Sequence, residues 1–443
     1  METENHASLR ESGIHSKFNN WLNYSIVVLA FVVPLSRSGI SIMIFVIPLL
    51  WIAEGGWNFK WKKIKKDRLI QAIVAYIGFV CLSLLWTDNY SEAVANAKNY
   101  GHLIIIPIML TSLRNDFRLK VINAYASGIL ALLILTILNY SGIILIAYND
   151  VYYHVVEHML EPTPYVFMHS LDYSMFLAWT VIFGIYFLHM LLKEKNKGFV
   201  EKKQLYLWPA LILSCLIWIF IQPGRSGQFA MIVALPFLTY FILKERNKIL
   251  FFTITGVFIL LLIAQYRWNP GFKDRVKAAR LEIHNSLKNK EYTSSLGNRI
   301  LAHEIAWQMI KKSWLVGYGI GDNMDIFSEH VETLQKEMEE KKMPRLSYIY
   351  QITTNHMHSQ YLQVLTETGI IGLILFLGIY FVFIVKSVNR EIAFLLIILF
   401  FTGFIGEPFM RNQFTSALIC LFMGLIYSAS VCRKNEFSHY LQI

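Results

Sequence analysis

The chain has 443 residues, is 55% hydrophobic and only 16% charged, and still carries a formal net charge of +11. A charged fraction so far below the roughly 25% of soluble domains points to a membrane protein. The apolar residues fall in separate runs of about 15 to 25, which excludes a disordered, collagen-like or disulfide-stapled chain.

In chain order, a polar start of about 20 residues leads into an apolar stretch with no small-residue cleavage signal, as expected of an uncleaved first span. Apolar runs between polar breaks predict about twelve spans. They begin near Trp21, Gly39, Leu69, Tyr100, Val121, Ser170, Leu205, Gln228, Ile249, Tyr361, Ile392 and Gln413. The span near Tyr100 is short and carries Pro107, and the one after Val121 is long. The fold class is therefore an all-α polytopic membrane protein with one long loop.

Lysine and arginine set the sidedness, because short cytoplasmic loops carry the excess. With the N-terminus inside, about 23 of the basic residues fall in cytoplasmic segments and about four, Arg37, Lys98, Arg225 and Arg411, in short loops on the other face. Both ends are thus expected in the cytoplasm. Three parts of one membrane-embedded unit follow: residues 1–265 with about nine spans, 266–358 as a long periplasmic loop, and 359–443 with about three spans.

Cys81, Cys215 and Cys420 lie inside apolar runs and Cys432 just after the last, so they read as packing residues. No CxxC or Cys/His spacing suggests a metal site.

A loop as long as 266–358 is where function is expected. Within it, Leu301, Ile305 and Met309 recur every four residues, with Ala302 and Ala306 alongside, predicting an amphipathic helix over Asn298–Trp314. It is expected on the membrane surface. A charged helix from about Ile326 to Lys342, ending before Pro344, reads as a solvated cover. The GYGIG stretch at Gly317 follows no strand and reads as a turn rather than a nucleotide loop.

Arg225 sits in QPGRSGQ, where Pro223 and Gly224 break one helix and Arg225 and Ser226 start the next. A helix N-terminus beside a permanent cation suits a phosphate or diphosphate. The competing reading is an interfacial arginine reaching lipid phosphate. Arg299 opens the amphipathic helix and offers a second guanidinium for an anion, or simply a solvated charge. His358, where the loop enters the tenth span, stands beside a helix N-terminus and suits a base near neutral pH; His356 is its alternate, and either also fits as a polar boundary residue. Glu367, further into that span, needs a partner or a polar cavity. Glu407 and Arg411 are four apart and predict an ion pair closing a turn. His169 and Asp172 are weaker candidates for sugar contacts. No Asp-x-Asp pair occurs on the outer side, which argues against a metal-dependent glycosyltransferase.

Taken together, GRSGQFAMIVAL at Gly224, GNRILAHEIAWQMIKKSWLVGYGIG at Gly297 and HSQYLQVLTETGIIGLILF at His358 resemble the O-antigen ligase family of bacterial envelope enzymes. The resemblance implies an inner-membrane glycosyltransferase that moves a glycan from undecaprenyl diphosphate to the terminal sugar of lipid A-core on the periplasmic side, inverting, without nucleotide, metal or cofactor. It implies diphosphate binding by Arg225 and Arg299 and a base at His358; Ser226, His356, His169 and Arg411 are further candidates, on their position alone, for diphosphate or sugar contacts. The partners expected are these two substrates and membrane lipids, not nucleic acid. O-antigen polymerases and protein O-oligosaccharyltransferases share the donor half of this chemistry. A lipid-linked oligosaccharide transporter also has about twelve spans, but it is expected to show related halves or paired broken helices, which the sequence lacks.

Overall fold

The computed structural model describes residues 13–144, 162–194, 202–243, 270–340 and 356–431, with Ile146, Gly256 and Arg267. All regular elements among them are helical. Most of the ninth expected span, from Ile249, residues 341–355 of the long loop, and Cys432 lie outside the described residues.

The helices are α1 Gly13–Val32, α2 Arg37–Glu54, α3 Trp57–Lys66, α4 Arg68–Leu82, α5 Tyr90–Asn99, α6 Ile105–Ser112, α7 Asn115–Tyr140, α8 Ser170–Glu194, α9 Lys202–Ile221 and α10 Arg225–Leu243. After the long gap come α11 Pro270–His284, α12 Ser295–Lys312, α13 Asn323–Glu340, α14 Gln360–Lys386, α15 Arg390–Phe404 and α16 Gln413–Val431. Short polar residues start them: Ser36, Asp67, Asn89, Ser294 and Asn389 each accept a first-turn amide. Among the described residues seven helices are long and apolar enough to cross a membrane, and Tyr100–Ser112 and Gln413–Ala429 are shorter apolar helices. The chain is a polytopic helical membrane protein.

Two helices form the centre. α8 and α16 are buried along most of their length, joined by an aromatic cluster of Trp179, Phe183 and Phe422 to which Tyr125 of α7 adds. Cys215 and Cys420 are buried as expected of packing residues, whereas Cys81 is exposed.

The loops gather at two ends. At one, Tyr427 donates to Asp67 at 3.0 Å, Arg114 to Asn20 at 2.6 Å, and Tyr186 to Glu391 at 3.1 Å. At the other, Asn139 donates to the Thr163 carbonyl at 3.0 Å, Gln413 to that of Arg37 at 3.0 Å, and Asn412 to Asp172 at 3.2 Å. The lysine-rich α3 belongs to the first end; Arg225, His358 and Arg411 belong to the second.

A smaller core lies over the second end. Leu301, Ala302, Ile305, Ala306 and Met309 of α12 bury against Phe327, Val331 and Met338 of α13, with Tyr292 and Met357. The apolar stripe of α12 is therefore covered by protein rather than laid on a membrane surface. The expected helix is present; its partner is α13, whose own apolar positions were hidden among its charges.

The GYGIG segment is a backbone plug. α14 is broken at Gly369, where φ is 63° and ψ is −165°. The break frees the carbonyls of Thr366 and Glu367, and the amides of Tyr318 and Gly319 donate to them, both at 2.9 Å. The next half-helix starts by donating from Ile370 to the Trp314 carbonyl at 2.9 Å. These groups exposed by the break are thus re-paired inside the protein, as a broken helix at membrane depth requires. Asp322, just after the plug, accepts the amides of Asp88 and Asn89, tying it to the start of α5.

Candidate functional site

The site is assembled from the turn before α14, the first turns of α12, and the turn between α15 and α16. Its centre is Glu407, whose side chain is 6% exposed. Arg299 donates to its Oε1 at 2.6 Å, His358 Nδ1 lies 3.6 Å from the same oxygen, and His356 Nε2 lies 4.0 Å from Oε2. The expected Glu407–Arg411 pair does not form. Helical spacing does not apply, because the chain turns at Pro408 and Arg411 points the other way.

Arg411 pairs instead with Glu367, at 3.7 Å. Glu367 is 1% exposed and also accepts from Gln363 at 2.7 Å and from Tyr100 at 3.0 Å, while Arg411 donates to Asn96. This answers the cost of a carboxylate inside a span: it is fully paired. It also assigns Arg411 a structural partner beside the site.

His358 has a left-handed backbone, with φ of 49°, which non-glycine residues seldom adopt. Its surroundings impose it. Its amide donates to His356 Nδ1 at 3.2 Å, and His303, one turn beyond Arg299 on α12, is close enough to interact with it electrostatically. Gln363 accepts the Met357 amide at 2.9 Å, and Gln360 accepts that of Met410 at 2.9 Å, pinning this turn to the Glu407 turn. Strain of this kind, over-determined by neighbours, is typical of functional sites. In the sequence Glu407 reads only as the partner of Arg411, and His303, Gln360 and Gln363 do not stand out. The available signal was the i, i+4 spacing of Arg299 and His303, and the two glutamines flanking Tyr361 in HSQYLQ.

The electrostatics give each group a state. Burial works against charge on Glu407, but the contact with His358 and then the charges of His356, once it is protonated at low pH, and of Arg299 outweigh it and hold the carboxyl at about 2. Burial lowers His356 to about 3, so it stays neutral and its Nδ1 remains free to accept the His358 amide. Burial also lowers His303. The sign of the pH effect follows. An unfolded histidine near 6.5 takes up a proton that folded His356 refuses, so stability falls as pH drops from about 6.5 toward about 3. Glu407 adds to this lower down: its contribution is complete above 4.5 and is lost as pH falls through about 2. The melting temperature should therefore drop on acidification from pH 6.5 to 4.5, and His356→Gln should flatten that window. An equally steep drop in the variant would remove His356 as the cause.

Donor atoms of His356, His358 and Glu407 lie within 4.8 Å of one another, a spacing that fits a metal ion. The Arg299 guanidinium at 2.6 Å already neutralises Glu407, and a metal dication there would meet a fixed positive charge. The geometry favours an ion pair flanked by two imidazoles.

Arg225 is exposed at the first position of α10, with Ser226 half-buried beside it. The glycines around it serve packing: a Cβ on Gly224 would lie 2.1 Å from the Ser170 carbonyl, and one on Gly227 2.1 Å from that of Ser174. Gln222 closes the turn through the Gly224 amide at 2.6 Å and its carbonyl at 2.9 Å. This holds the start of α10 against the start of α8. Among the described residues no hydrogen bond or ion pair joins Arg225 to Arg299 or His358. His169 caps the same end of α8, its Nδ1 accepting the Leu171 amide at 3.3 Å, and Asp172 accepts from Asn412 and Thr415. The structure thus unites His358, His356, Arg299 and Arg411 around two carboxylates, and leaves Arg225, Ser226 and His169 on an adjoining part of the same end.

A family model described as O-antigen ligase matches residues 209–377, which include Arg225, Arg299 and His358. No curated protein matches the chain.

Proposed function

We propose, for a chain whose residues 209–377 belong to the O-antigen ligase family, that it is a periplasm-facing glycosyltransferase of that type. The donor is a glycan on undecaprenyl diphosphate and the acceptor a terminal sugar of lipid A-core. About twelve spans, both ends in the cytoplasm and a periplasmic loop over 266–358 complete the reading, supported by the lysine and arginine distribution. The inner membrane of a bacterium is the location that these substrates require.

The observation that carries the proposal is the Arg299–Glu407–His358 cluster. An ionised carboxylate beside His358 Nδ1 holds the ring with Nε2 as the proton acceptor, and stabilises the imidazolium that forms. The acceptor hydroxyl oxygen bonds to the anomeric carbon from the face opposite the leaving group, and its proton passes to His358. The bond from that carbon to the diphosphate oxygen breaks, its electron pair leaving with the diphosphate. Arg299, 28% exposed, has a free face for that negative charge, and Arg225 supplies a second cation at a helix N-terminus. No metal enters the scheme, so turnover is expected to withstand EDTA.

Deletion of the gene tests the acceptor. Lipopolysaccharide reduced to bare core, with polymer left on the carrier lipid, is the expected gel pattern. Core capped by a single repeat unit would instead identify a polymerase, in which a second lipid-linked glycan is the acceptor.

A further inference from the structure

An unassigned feature lies at the end opposite His358. The first turn of α4 and the last turn of α14 leave a groove of about 420 Å³ between Arg68, Gln71 and Ala72 on one side and Phe381, Val385 and Lys386 on the other. Both cations are exposed, and among the described residues neither is paired with a carboxylate: Arg68 donates to Gln71 at 3.2 Å. The neighbouring acid, Asp67, is committed elsewhere, its Oδ1 accepting the amides of Leu69 and Ile70 and its Oδ2 the Tyr427 hydroxyl. The wall running from the cations toward the middle of the bundle is apolar, with Phe381 68% exposed.

α3 sets the depth of this groove. Lys60 turns inward to Glu54 at 2.7 Å and lies over the rings of Trp51 and Trp57, so α3 is anchored to the bundle. Its outer face shows Trp57, Phe59 and Trp61 beside Lys62, Lys65 and Lys66, the pairing of aromatic and basic side chains that marks headgroup level. Gln71 donates to the Lys65 carbonyl at 2.7 Å, tying the end of α3 to the groove mouth.

We propose that this groove is a binding site for one anionic phospholipid, with its phosphate between Arg68 and Lys386 and an acyl chain along Phe381 and Val385. Two cations not paired with a carboxylate, beside an Asp67 already engaged by two amides and a hydroxyl, favour an anionic headgroup over a zwitterionic one. The apolar wall favours a lipid over free phosphate. The site stands independently of the reaction proposed at the other end.

The test is the melting temperature of the purified full-length protein in detergent, titrated with phosphatidylglycerol, phosphatidylcholine or inorganic phosphate. Phosphatidylglycerol should raise it at concentrations where the other two do not. The double variant Arg68→Gln/Lys386→Gln should need about 30-fold more phosphatidylglycerol for the same rise. Lys386→Gln alone, at an exposed position, should need about fivefold more and serves if the double variant does not fold. Equal protection by phosphatidylcholine, an equal effect of phosphate alone, or an unshifted titration in the variants would each overturn the proposal.

Discussion

Glu407→Gln is expected to lower turnover about 10³- to 10⁴-fold, about as much as His358→Ala, and the double variant is expected to be no slower than either single one. The amide keeps the size of the carboxylate but neither fixes Nε2 of His358 as the proton acceptor nor stabilises the protonated ring. Once Glu407 is neutral, His358 has little left to contribute, and this is why the losses should not add. His356→Gln should cost far less, because an amide oxygen can still accept the His358 amide. Steady-state rates of the four proteins on a lipid-linked glycan decide the matter. Multiplicative losses at Glu407 and His358 would mean that the two act separately.

Gly369→Ala is expected to destabilise the protein by about 4 kcal/mol. Its φ of 63° and ψ of −165° fall in a region open essentially to glycine, and an added Cβ would stand 2.3 Å from the Leu315 backbone. Neither fault can relax alone, because the Leu315 segment is held to the break by its own hydrogen bonds. Gly378, in the same helix, has no neighbour within 4 Å of an added Cβ, so Gly378→Ala should melt like the parent. The two melting temperatures, measured side by side, test whether the plug holds α14. Equal values would contradict it.

Much of the fold is legible from composition alone, because a chain in lipid must satisfy its backbone inside each apolar segment. Expected spans at Gly39, Leu69, Val121, Ser170, Leu205, Gln228 and Tyr361 correspond to the seven helices long and apolar enough to cross. The break in α14 is not legible, since the polar stretch Thr366–Gly369 fits inside a continuous helix as well as at a break, and the partner that stabilises the break lies some 50 residues earlier at Trp314. The loop helix α12 was readable from its four-residue period, but what covers it was not. Periodicity reports a buried face without naming its occupant.

The site divides along the same line. Arg299 and His358 were readable as groups whose chemistry suits an anion and a proton. Glu407 was not, because its partners come from α12 and the turn before α14, 108 and 49 positions away, and the nearer Arg411 offered a simpler pairing. Local spacing favours the near partner. The chain turn at Pro408 decides for the distant ones.

The central claim is that this cluster transfers a glycan from a lipid diphosphate to a sugar acceptor. Purified protein supplied with undecaprenyl-diphosphate-linked glycan and lipid A-core tests it most directly. The account predicts glycan-capped core from the parent protein, in the presence of EDTA as without it, and almost none from His358→Ala at equal protein. Unaltered transfer by His358→Ala, or a parent protein that leaves the core unmodified while extending a second lipid-linked glycan, would contradict it.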